Sequence, residues 1–184
     1  MIFHKTTLSD AWLIEPERRG DERGFFARTM CQAEFAAHGL ISGFVQQNMS
    51  ASAQSGTLRG MHFQRAPFSE AKLVRCVRGR LLDVIVDLRA GSPSYMRHEA
   101  FELSAENGHQ LYVPPGFAHS FMTLVDDVEV SYLVSSPYTP SSEGGLRYND
   151  PALAIAWPRS VTTISDKDAN WPLLEPGSAP IFAA

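Results

Sequence analysis

The densest group of chemically capable side chains lies in LRGMHFQ at 58–64, where Arg59 and His62 stand close together. A guanidinium grips a phosphate through a two-pronged fork. An imidazole titrates near neutrality and suits a general base. Lys72, at the head of KLVRCVRG, would bring positive charge to a developing enolate. In an antiparallel meander His62 and Lys72 would point into one barrel mouth. Each residue alone is more often structural, and the grouping is what favours a site. In PPGFAHSF at 114–121, the turn at Pro114, Pro115 and Gly116 delivers His119 to the next strand. In VSYLVSSPY at 130–138, alternation turns Tyr132 inward and Ser131 the other way. A buried phenol needs a partner, and spacing alone favours core packing for Tyr132. Tyr138, between proline-containing turns, is a stacking platform or a loop residue. Arg23 precedes the aromatic pair of DERGFF, and SDKD at 165–168 carries Asp166, Lys167 and Asp168. Either aspartate reads as a cap or as a solvated charge.

A metal centre is not expected. Small β-barrels that bind iron or manganese commonly present His-x-His, but the second residue after His62 is Gln64. His62 and His119 give at most two ligands, fewer than a stable site wants.

The elements that must position these groups read as strands. LLDVIVDLR at 81–89 is a run of large and β-branched apolar residues; 72–79, 98–104, 110–115 and 128–136 follow the same style, several alternating. RAGSPS, SAENGH and VDD separate them as turns. This spacing predicts an all-β sandwich or barrel, and the middle of the chain has no room for a crossover helix. One short helix is predicted at about Gln32 to His38, with Gly39 ending it. The last forty residues are expected to wrap the barrel as loops and short helical turns.

The chain has 184 residues and reads as a single domain over 1–184. Its formal charge of −4 offers no general attraction for a polyanion, so nucleic acid is not an expected partner. Two cysteines, Cys31 and Cys76, make no disulfide framework. No signal peptide or membrane span is apparent, so a cytoplasmic protein without membrane attachment is expected.

Together the motifs DERGFF, FVQQNMS, GTLRGMHFQ, KLVRCVRG, DVIVDLRAGSPSY, QLYVPPGFAHSF, YTPSSEGG, NDPALAIAWP and ISDKD resemble the dTDP-4-dehydrorhamnose 3,5-epimerase family over about Leu13 to Leu174. The resemblance implies a cupin jelly-roll barrel (a double-stranded β-helix) with short peripheral helices. It also implies a metal-independent isomerase without cofactor, acting on a nucleotide-diphosphate sugar and usually homodimeric, with sites completed by a partner strand. By resemblance His62 is the proton-abstracting base, Asp168 its paired carboxylate and Tyr132 the general acid. Lys72 and His119 bind near the keto sugar, and Arg23 and Arg59 bind the diphosphate. Gln46, Asn48, Glu143 and Lys167 make further contacts, while Tyr138 stacks on the base. One residue departs: the family commonly has a glutamate where this chain has Arg28. That glutamate accepts the thymine N3 proton, whereas Arg28 only donates. A donor suits cytosine, so a CDP-linked or other keto sugar, or single-carbon epimerisation, is the alternative expectation, with a non-catalytic sugar-binding cupin as the alternative from another class.

Overall fold

The computed structural model describes all residues except 176, 178, 183 and 184. The chain begins with β1 (Ile2–Lys5), β2 (Trp12–Glu15), β3 (Arg19–Asp21), β4 (Gly24–Phe26) and helix α1 (Gln32–Ala37). Then come β5 (Gln46–Ser52), β6 (Leu58–Gln64), β7 (Lys72–Arg78), β8 (Arg80–Asp87) and β9 (His98–Ser104). The last elements are β10 (Gln110–Val113), β11 (Phe117–Thr123), β12 (Val128–Val134), β13 (Glu143–Gly145) and α2 (Asp166–Ala169).

Two antiparallel sheets form the cupin-type jelly roll. One runs in the order β1-β2-β10-β7-β12-β5, the other β13-β6-β11-β8-β9. From β5 to β8 successive strands alternate between the sheets, and that corrects one expectation. His62 on β6 and Lys72 on β7 are not neighbours in a meander. They belong to opposite sheets and reach the same cavity from its two sides.

The apolar pattern explains the layering. One core lies between the sheets and includes Val74, Leu81, Ile85, Leu111, Phe117 and Val130. A second lies on the outer face of the five-stranded sheet. There Val84, Val86 and Ala118 are covered by Ile155, Trp157, Leu174 and Phe182 from the wrapping C-terminal segment. Strand β8 is therefore buried on both faces, and its near-continuous apolar run follows from that position. On the outer face of the six-stranded sheet α1 closes a third core through Phe35, which is fully buried. Burying a phenylalanine contributes about 1.5–3 kcal/mol. Gly39, at φ +71°, ends the helix in the left-handed region, and Leu40 N–H and Gly39 N–H donate back to Phe35 O and Ala36 O.

The β3–β4 hairpin is a separate two-stranded sheet. Its Phe25 and Phe26 are 62% and 69% exposed, and Arg23 pairs with Asp21 at its tip. Among the described residues, no helix is long and apolar enough to cross a membrane.

Candidate active site

Between the sheets opens a cavity of about 400 Å³ onto which Arg59, His62, Lys72, His119, Tyr132 and Asp168 all face. A neighbouring recess of about 410 Å³ shares His62, Lys72 and Tyr132 and adds Gln46, Asn48, Tyr138 and Glu143. Ten of the thirteen residues singled out from the sequence thus line one continuous cleft.

Local geometry explains how Arg59 and His62 share it. Side chains three apart on a regular strand point to opposite faces. Here His62 pairs with His119 and Arg59 with Phe121, so Gly60 and Met61 oppose the single residue Ser120. This bulge adds a residue to β6 and turns both side chains inward. Gly60 has φ +112°, and a Cβ on it would lie 2.6 Å from His119 O. Only glycine allows β6 and β11 to approach so closely.

His62 Nε2 lies 2.6 Å from Asp168 Oδ1, and Asp168 Oδ2 accepts from Gly60 N–H at 3.0 Å. The carboxylate stands on α2, whose N-cap Ser165 accepts from Asp168 N–H. Burial pushes the Asp168 carboxyl up. The bonds from His62, Gly60 and Trp171 outweigh it and hold the group below the usual aspartate value. Asp168 is therefore an anion at neutral pH. Tyr132 faces His62 from the other sheet. Burial raises its phenol above the ordinary value, Glu70 raises it further, and Arg59 opposes both. The hydroxyl keeps its proton at neutrality.

Lys72 Nζ sits 3.1 Å from Glu70 Oε1, with both side chains nearly buried. Gln64 Nε2 donates to Glu70 Oε2 at 3.0 Å. Arg59 is braced by Ser52 Oγ at 3.2 Å and Ala51 O at 2.9 Å. His119 Nε2 meets the fully buried Asp83 Oδ2 at 2.9 Å. Tyr138 O–H donates to Glu143 Oε2 at 3.2 Å, and Lys167 Nζ reaches Glu143 Oε1 at 2.7 Å. Lys167 thus stands beside the cleft, tethered to one of its lining residues.

Arg23 and Arg28 stand apart from the cleft, Arg23 on the exposed hairpin and Arg28 just beyond it. Arg28 Nη1 donates to Glu34 Oε1 at 3.1 Å, and Glu34 also takes the N-terminal ammonium at 2.9 Å.

Four residues of the site escaped the sequence reading. Asp83 and Glu70 carry the two carboxylates that orient His119 and Lys72. Trp171 Nε1–H donates to Asp168 Oδ1 at 3.3 Å. Ser50 lines the cavity with a buried Oγ that has no partner among the described residues, a hydroxyl left to bond with whatever fills it. Among the described residues no three His, Cys, Asp or Glu side chains gather as a metal-binding group.

The geometry offers a base paired with a carboxylate on one side, a protonated phenol on the other, and cations at the cavity wall. That set is equipped to move protons on a carbon acidified by a neighbouring carbonyl. Comparison with known proteins gives the same direction. The family profile described as dTDP-4-dehydrorhamnose 3,5-epimerase matches residues 5–176. The chain is 47% identical to the dTDP-4-dehydrorhamnose 3,5-epimerase of Sinorhizobium fredii, over 95% of this chain and 90% of the relative. It superposes with a TM-score of 0.91 on the Bacillus anthracis dTDP-4-dehydrorhamnose 3,5-epimerase with TDP and pyrophosphate bound (43% identity, 94% and 99% coverage). For the Legionella pneumophila dTDP-6-deoxy-D-glucose-3,5-epimerase in complex with dTDP-4-keto-L-rhamnose, the TM-score is 0.88 (38% identity, 94% and 92% coverage).

Proposed function

The chain belongs to the dTDP-4-dehydrorhamnose 3,5-epimerase family, and on that premise we propose how its own side chains carry the reaction. The protein is an isomerase that inverts the carbons beside the 4-keto group of a dTDP-4-keto-6-deoxyhexose, giving dTDP-4-dehydro-L-rhamnose. A proton on carbon 3 or 5 is acidic because the electron pair left behind delocalises onto the C4 oxygen. His62 takes that proton, and Asp168 holds the imidazole and steadies its cation. Lys72 and His119 donate to the C4 enolate oxygen. Tyr132 returns a proton to the opposite face, and the enolate electrons close the new C–H bond. No net oxidation occurs, so the chemistry calls for no redox cofactor.

The observation that carries this reading is the His62–Asp168 contact of 2.6 Å on one wall, facing the protonated Tyr132 on the other. Arg59, Gln46, Asn48, Tyr138, Glu143 and Lys167 supply the sugar-nucleotide contacts, Arg59 at the diphosphate and Tyr138 against the base. Arg23 and Arg28 do so from a second copy of the chain. A homodimer accounts for two exposed phenylalanines on a hairpin that also carries Arg23. We read residues 1–184 as one domain of a cytoplasmic protein.

The test is incubation with dTDP-4-keto-6-deoxyglucose in heavy water, followed by NMR. Deuterium at both carbons and the L-rhamno product are expected. Absence of exchange at both carbons would overturn the assignment. Arg28 makes the CDP-linked keto sugar the informative competitor: faster turnover of it than of the dTDP sugar would move the nucleotide assignment to cytidine.

A further inference from the structure

Trp171 stands behind the proposed base. Its indole Nε1–H donates to Asp168 Oδ1 at 3.3 Å, the same oxygen that meets His62 Nε2 at 2.6 Å. The indole meets the imidazole edge to face, with centroids 6.2 Å apart and planes at 72°. Its place is prepared from three directions. Gly145 pairs with His62 across β13 and β6, and a Cβ there would fall 2.2 Å from indole Cε2. The Lys167 ammonium lies 5.6 Å from the ring centroid on another side. Arg147 ties down the chain beyond, donating from Nε to Trp171 O at 2.8 Å and from N–H to Pro172 O at 3.2 Å.

We propose that Trp171 is a positioning residue for the epimerase reaction: its N–H locks the plane of the Asp168 carboxylate, and its ring keeps the His62 imidazole from swinging off line. This rests on the reading of His62 as the base.

The torsion that spins a carboxylate about its own axis is soft. Gly60 N–H fixes one oxygen. The other would be held by the imidazole alone, which is the group that must be aimed. An independent donor on that oxygen removes the circularity. The indole bond is long for a hydrogen bond, so its share is at the weak end of what such bonds contribute. About a three- to tenfold effect on rate is expected. Uniform substrate binding should hardly change, because the indole touches the carboxylate and not the cavity wall.

The experiment is a double-mutant cycle on the purified enzyme with the dTDP keto sugar. Trp171→Phe keeps most of the ring and removes the donor. It should lower kcat about three- to tenfold and leave KM within about twofold. Added to Asp168→Asn, the same change should cost little more, because the carboxylate it serves is already gone. Gly145→Ala, which keeps Trp171 but displaces its ring, should reproduce the loss in kcat. An unchanged kcat in Trp171→Phe, or a loss repeated in full in the Asp168→Asn background, overturns the proposal while leaving the base assignment standing. Wild-type kcat in Asp168→Asn overturns both.

Discussion

Replacing Asp168 by asparagine tests the proposed base with little change of shape. The carboxylate serves two directions, with Oδ2 taking Gly60 N–H and Oδ1 taking His62 Nε2. An asparagine can satisfy only one of these as an acceptor. If its NH₂ faced Gly60, two donors would meet in a buried place, at a cost of about 1–3 kcal/mol. The amide oxygen therefore stays with Gly60 at 3.0 Å, and the NH₂ turns to His62 Nε2 at the lesser cost of the longer Trp171 bond, 3.3 Å. That nitrogen must then accept, so the imidazole proton moves to Nδ1. The nitrogen left for the substrate is already protonated and cannot serve as a base. Such a tautomer error, added to the lost support of the imidazolium, should reduce kcat by about 10³–10⁴-fold. KM should stay within a few-fold, and the variant should fold, since the Gly60 bond survives. Deuterium incorporation at carbons 3 and 5, followed by NMR over hours, has the range to measure such a rate. A kcat within tenfold of wild type would refute the argument, because it would mean that Asp168 neither sets the tautomer nor stabilises the cation.

Tyr132→Phe should still exchange protons with solvent but form inverted product at least about 10²-fold more slowly; normal inversion would sink the acid assignment. Because burial, then Glu70, raises this phenol, no alkaline loss of kcat/KM from Tyr132 should appear below about pH 10; a pH–rate profile checks this. Asp87 is fully buried. Burial pushes it up, but bonds from Arg89, Ser92 and Ser94 hold it below the ordinary value. Asp87 and Asp168, both lowered on folding, contribute stability that is present above about pH 4 and lost as pH falls through their folded values. Asp87→Asn should cost about 2–3 kcal/mol at pH 7 and flatten that acid loss in urea titrations; an equally steep loss would show that the acid sensitivity lies elsewhere. Phe25→Ser with Phe26→Ser should convert a dimer to monomers in light scattering and depress turnover; an unaltered mass would remove the hairpin from the interface.

Much of this architecture was legible because burial writes itself into composition. β8 is apolar on both faces because cores lie on both sides of it, and α1 ends where Gly39 permits. Alternation placed Tyr132 inward, where it packs against the core between the sheets, while Ser131 Oγ accepts from Gln47 Nε2 at 3.1 Å. The pairing of His62 with Asp168 was not legible from spacing, since 106 residues separate them; family likeness alone joined them. Glu70 and Lys72, two apart, left a faint sign of a shared direction. Asp83 left a stronger one, as the single acidic residue within LLDVIV at 81–86: a carboxyl in such a strand needs a partner, and His119 is that partner. Trp171 gave no signal, because its bond to Asp168 depends on how the chain leaves α2. The separation of His62 and Lys72 into opposite sheets was hidden for a related reason. From β5 to β8 each turn carries the chain to the opposite sheet, and local pattern carries no record of it.

The extra residue in β6 makes reactivity a matter of parity. Inserting one residue beside Ser120 of β11, opposite Gly60, would give the two strands equal counts and leave every apolar residue of β6 in place. From that point to the end of β6, however, each side chain would exchange inside for outside relative to Arg59. The imidazole would go to the outer layer and Met61 would take its place. A single codon thus separates an enzyme from an inert barrel of almost the same composition, and the loss would resemble neither an unfolded protein nor a missing functional group.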